Sequence, residues 1–83
     1  MEQRYATLKT IYEIVKNESK PTTYNCTPRQ IILRQMRPWD NIMLHLEELD
    51  AEELIILQKP GMTICITEKG IEKAKSKDVI TGN

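Results

Sequence analysis

The sequence predicts a mainly α-helical domain that carries one small β-hairpin, an α+β fold. Three observations predict it. Apolar residues recur at spacings of three and four in three separate stretches, the period of a helix with one buried face. Residues 54–58 and 63–66 are short runs rich in branched side chains on either side of a Pro-Gly pair. A length of 83 residues leaves room for one core only. Residues 1–78 are read as that single domain and 79–83 as a frayed tail.

The elements follow in order. Over residues 2–16, Tyr5, Leu8, Ile11, Tyr12 and Val15 form one apolar stripe, with Ile14 on its far side. The polar stretch 17–23 contains Pro21 and two threonines and breaks the period, which predicts a loop with a short extended piece at 22–24. A helix start follows. Thr27 is placed to accept from early backbone donors, Pro28 fits the first helical position, and Gln30 can return the bond to close a capping box. In this helix Ile31, Ile32 and Met36 face one way, while Gln30, Arg34 and Arg37 form a row on the other side. Pro38 ends it, because the residue before a proline avoids helical backbone angles.

The third helix is read from Trp39 to about Ala51. Its buried stripe is Trp39, Ile42, Leu46 and Leu49, with His45 at the edge. Strands at 54–58 and 63–66 enclose Lys59-Pro60-Gly61-Met62. Pro-Gly favours a type II turn, which fits a tight hairpin poorly, so a slightly open tip is expected. Thr67 then caps a last helix, with Gly70 in its first turn, that runs to about Lys77.

From Thr27 onward this order resembles the winged helix–turn–helix regulators, loosely the MarR-like and PadR-like proteins. The resemblance rests on three stretches. Ile42-Met43-Leu44-His45-Leu46-Glu47-Glu48-Leu49 is similar to the recognition-helix pattern of those proteins. Ala51-Glu52-Glu53-Leu54-Ile55 stands where they show Glu-Gly-Leu-Ile, and Ile66-Thr67-Glu68-Lys69-Gly70-Ile71 is similar to their strand-to-helix Leu-Thr-x-x-Gly. Two positions depart: Met36 and Glu53 stand where the family uses glycine. A left-handed residue other than glycine at such a point costs on the order of 1–2 kcal/mol. The resemblance implies a winged helix–turn–helix of three helices, a two-stranded wing and a short last helix. It also implies a transcriptional regulator that binds double-stranded DNA, commonly as a homodimer. Ile14, with Val79 and Ile80, is the expected dimer contact.

The charges are unevenly placed. Twelve basic and twelve acidic residues cancel, yet residues 1–38 carry seven basic and three acidic side chains, and residues 39–53 carry six acidic and none basic. The helix that the resemblance assigns to the major groove therefore lacks Lys and Arg. On it Asn41 is the one amide, and the face opposite the core presents Asp40, Leu44, Glu47 and Ala51. The phosphate contacts implied by the resemblance fall to Arg29, Gln30, Arg34 and Arg37 on the second helix and to Lys59 at the wing tip, with Asn41 and Leu44 toward the bases. The acidic third helix supports a different class of function, a protein-interaction module that docks a partner on that helix.

Other chemistry finds little support. Cys26 and Cys65 are far apart and belong to no metal-ligand pattern, so two inert thiols are expected rather than a disulfide. Trp39 and His45 lie on or beside an apolar stripe and are read as structural. No nucleophile–base pair or glycine-rich phosphate loop occurs, so neither an enzyme nor a cofactor is expected. The longest apolar run, Leu54 to Leu57, has four residues, against roughly 20 for a membrane span. With no charged-then-apolar leader pattern at Met1–Arg4, a cytoplasmic protein is expected.

Overall fold

A computed structural model describes residues 3–59 and 61–75. The elements are α1 (Gln3–Val15), α2 (Pro28–Gln35), α3 (Trp39–Ala51), β1 (Ile55–Gln58), β2 (Thr63–Ile66) and α4 (Glu68–Lys75). The predicted class is the one observed: four α-helices and a two-stranded antiparallel hairpin among the described residues. The last residues assigned to the final helix, the tail 79–83 and the expected contact residues Val79 and Ile80 lie outside the described residues.

One cluster forms the core. Leu8, Ile11 and Val15 of α1 meet Ile31 of α2, Ile42, Leu46 and Leu49 of α3, and Ile55, Ile64 and Ile66 of the hairpin, all essentially without solvent contact. α1 packs on α2, α3 and α4. Being enclosed on several sides, it buries a wider arc than its stripe, which is why Ile14 is half-buried against the core rather than on an outer face. Thr7 is fully buried for the same reason.

Residues 21–23 form a 3-10 turn, not the start of an extended piece. The extended backbone comes later, where Cys26 bridges Ile64 with two hydrogen bonds, N–H to O at 2.8 Å and the return at 2.9 Å. This bridge adds a one-residue third strand beside β2. Because Ile64 gives its N–H and C=O to Cys26, its partner across the hairpin, Leu57, directs its own N–H outward. The Asp50 carboxylate accepts that N–H at 3.1 Å.

The capping box predicted for α2 is present: Thr27 Oγ1 accepts from the Gln30 N–H, and Gln30 Oε1 accepts from the Thr27 N–H at 2.9 Å. The end of α2 differs from expectation. The helix stops at Gln35, and Met36 takes a left-handed conformation (φ 57°), its N–H donating to the Ile32 carbonyl at 2.7 Å. Met36 thus leaves the apolar side of α2 and is 82% exposed. α3 spans the predicted residues, and Glu53 after it is left-handed at φ 65°. Both positions where the sequence departs from glycine therefore need left-handed backbone.

The hairpin pairs Ile55 with Ile66 through Gln58 with Thr63, leaving a four-residue connection, 59–62. The open tip is present, but Gly61 does not take the left-handed conformation a type II turn requires of it; Met62 does, at φ 55°. A longer loop built on another turn moves the left-handed residue to the loop's last position. Thr67 joins hairpin to α4. Its N–H donates to the Leu54 carbonyl at 3.1 Å, and its Oγ1 accepts from the Gly70 N–H at 2.9 Å.

Candidate interaction surface

The residues singled out from the sequence lie on α2, on α3, in the turn between them (the α2–α3 corner) and just after β1. Along α2, Arg29 and Leu33 are four apart and share the outward side. Along α3, Asp40, Leu44 and Glu47 do the same. The left-handed Met36 turns the chain between the two helices, and Leu33 (65% exposed), Met36, Trp39 (41%) and Leu44 (55%) all meet solvent. Trp39 was expected in the core stripe. As the first residue of α3 it sits beyond the end of the core, with no preceding turn to cover it.

The expected phosphate row is only partly assembled. Arg29 and Arg34 are exposed and, among the described residues, neither has an ion-pair partner. Gln30 uses its side-chain carbonyl in the cap. Arg37 lies beyond the end of α2, so it is not part of a helical row; its guanidinium reaches back to Gln3 Oε1 at 3.5 Å. Lys59 stands by the wing as expected, but its Nζ is 3.8 Å from Glu47 Oε2 on α3. Asn41 and Leu44 are exposed on α3, beside Asp40, Glu47 and Glu48.

Behind the corner runs a polar chain that the sequence did not announce. His45, placed at the edge of the stripe by its period, is 5% exposed. Its Nδ1 is 2.7 Å from Thr7 Oγ1. Thr7 in turn donates to Gln35 Oε1 at 3.1 Å, Gln35 Nε2 donates to Thr10 Oγ1 at 3.0 Å, and Thr10 donates to the Ala6 carbonyl. The hydroxyl of Thr7 has one proton and gives it to Gln35, so the proton between Thr7 and the imidazole belongs to His45 Nδ1. Burial, then the nearby Arg37, holds the His45 pKa below its ordinary value. The signal that could locate this chain is the polar set Thr7, Thr10 and Gln35 on the inner sides of two amphipathic helices.

A second polar cluster joins α1 to the end of α3. Arg4 Nε and the Tyr5 hydroxyl both donate to the Glu52 carboxylate, the latter at 2.8 Å. The carboxylate raises the Tyr5 pKa through that bond. Burial opposes ionisation of Glu52, yet the two hydrogen bonds outweigh it and keep its pKa below the ordinary range. Lys73 stacks over the Tyr5 ring at 4.7 Å. Tyr5, Glu52 and Lys73 border an open cavity of about 350 Å³.

Among the described residues no group of three or more His, Cys, Asp or Glu is placed to hold a metal ion, and no helix is long and apolar enough to cross a membrane. Cys26 and Cys65 are free thiols; burial pushes the Cys26 pKa up to about 11, and burial also raises that of Cys65. Neither thiol is disposed to act as a nucleophile at neutral pH.

The fold and the corner together define a small, mainly helical domain with a topology compatible with a winged helix. No protein family, curated protein or solved structure matches the chain.

Proposed function

We propose that the chain is a non-enzymatic recognition module that binds protein through the α2–α3 corner. The observation that carries this reading is the composition of the outward side of α3. Asp40, Glu47 and Glu48 flank an exposed Leu44, no cation lies on the helix, and Met36 and Trp39 extend the apolar surface at its start. Affinity for duplex DNA comes largely from neutralised phosphates. A helix with three exposed carboxylates laid in a groove adds repulsion instead. Exposed Trp, Met and Leu on α2, α3 and the turn between them are the residue types that a protein partner desolvates with gain.

A second reading, a DNA-binding transcriptional regulator, draws on a specific observation: Arg29 and Arg34 are exposed without ion-pair partners, on the helix that crosses the backbone in winged-helix complexes. Fluorescence anisotropy of a labelled mixed-sequence duplex decides between the two. The expected outcome is no saturable binding at about 50 mM salt. Binding whose logarithm falls with log salt at a slope of about −2 or steeper, and that is lost in the Arg29→Ala, Arg34→Ala double variant, overturns the protein reading.

A further inference from the structure

We propose that the open cavity bordered by α1, α4 and the end of α3 binds a small zwitterion of the α-amino-acid type. The cavity belongs to the end of α3 remote from the α2–α3 turn, so the proposal stands independently of the protein-binding reading.

Three parts of the chain line the cavity. Tyr5 comes from α1, residues 51–54 come from the end of α3 and the approach to β1, and Lys69 and Lys73 come from α4. The two lysines are four residues apart on a helix and so share one face. Part of the charge is already satisfied. The Glu52 carboxylate accepts from Arg4 and from the Tyr5 hydroxyl, and the Lys73 ammonium stands over the Tyr5 ring at 4.7 Å. Glu53 and Lys69 remain. Both are exposed, and among the described residues neither side chain has an ion-pair or hydrogen-bond partner. Two opposite charges thus border one cavity without pairing across it.

The backbone fixes where both side chains are attached. Glu53 donates its N–H to the Asp50 carbonyl at 3.0 Å, and its own carbonyl accepts from Thr67 Oγ1 at 2.8 Å. Lys69 rides on α4, which Gly70 holds in close contact with the Leu54 carbonyl. A site whose attachment points are set before binding spends less of its affinity on ordering.

The arrangement selects a ligand class. A simple anion would meet the Glu53 carboxylate, and a simple cation would meet Lys69 and Lys73. A molecule that carries a carboxylate and an ammonium a few bonds apart satisfies both, the carboxylate toward the lysines and the ammonium toward Glu53. The negative end of the α3 dipole also favours an ammonium beside Glu53. The volume of about 350 Å³ lies at the lower end of the roughly 300–1,000 Å³ of small-molecule sites, which suits one amino acid and no larger cofactor. Because the charges are exposed, the affinity is weak.

Nuclear magnetic resonance titrations of the ¹⁵N-labelled chain at neutral pH test this. The probes are L-leucine, N-acetyl-L-leucine, which lacks the ammonium, and L-leucinamide, which lacks the carboxylate. Leucine is expected to shift the amide signals of Glu53, Leu54, Lys69 and Lys73 saturably, with a Kd of about 1–10 mM. Each derivative should bind at least about threefold more weakly. Lys69→Gln should narrow the advantage of leucine over leucinamide, and Glu53→Gln should narrow its advantage over N-acetyl-leucine. Both positions are exposed, and circular dichroism checks that each variant keeps the fold. No saturable shift up to about 50 mM leucine, a derivative that binds as tightly as leucine, or variants that keep the wild-type discrimination overturn the proposal.

Discussion

Met36 and Glu53 each occupy a left-handed conformation with a side chain that such backbone disfavours. Both are exposed, and neither side chain makes a hydrogen bond or ion pair among the described residues. Glycine removes the strain of about 1–2 kcal/mol but adds about 0.5–1 kcal/mol of unfolded-chain entropy. Met36→Gly and Glu53→Gly are therefore each expected to stabilise the chain by roughly 0.5–1 kcal/mol. Their effects should add, because the sites share no partner. Thermal unfolding of dilute protein measures this as a Tm higher by a few degrees per substitution; a fall in Tm would show that the native turns depend on the side chains. The two positions were legible in the sequence, since a chain that must turn after a helix needs this conformation whatever residue stands there. The exposure of Trp39 was not. Periodicity assigns a residue to a stripe, but it does not reveal where along the helix the neighbouring elements stop covering that stripe.

At the scale of elements, the join between β1, β2 and α4 leaves no space for a side chain at Gly70. A Cβ there would lie 2.0 Å from the Leu54 carbonyl oxygen, the same oxygen that accepts the Thr67 N–H. Gly70→Ala must push α4 away from the start of β1 and break that bond. A loss of about 2 kcal/mol or more is expected, seen as a Tm lower by roughly 10 °C; an unchanged Tm would mean that α4 is not held against Leu54. The glycine here serves close approach rather than backbone freedom, as its backbone is ordinary helix. Local signals such as the Thr27–Gln30 capping box could be read residue by residue, because every participant lies within one turn. The Cys26–Ile64 bridge and the Arg4–Tyr5–Glu52 cluster join residues 38 to 48 positions apart, and no spacing rule announces them. The same holds for the corner: each helix row was visible in the sequence, but that Arg37 falls outside its row depends on where α2 ends.

For the whole molecule, the polar chain from His45 to Ala6 ties α1, α2 and α3 together, and its buried His45 makes stability depend on pH. The folded-state pKa of His45 lies below its ordinary 6.5, so the unfolded chain binds the extra proton first as pH falls. The stabilisation is complete above 6.5 and is lost as pH falls through 6.5 and the folded-state pKa. Glu52 and Glu13, whose pKa values lie below 4.5 in the folded chain, add their own losses only at more acid pH. Urea midpoints of the wild-type chain should therefore drop between about pH 7.5 and 5.5, while those of His45→Gln stay level over that window. Equal slopes would place the titrating group elsewhere. The hairpin shapes the behaviour of the molecule in concentrated solution. An unpaired strand margin is a template on which further chains can add without limit. One margin of this small sheet is occupied by Cys26, and on the other the Asp50 carboxylate holds the outward amide of Leu57. A newcomer strand would have to displace the Asp50 side chain from its donor before its first rung could form. Addition of further strands to either margin is thereby discouraged.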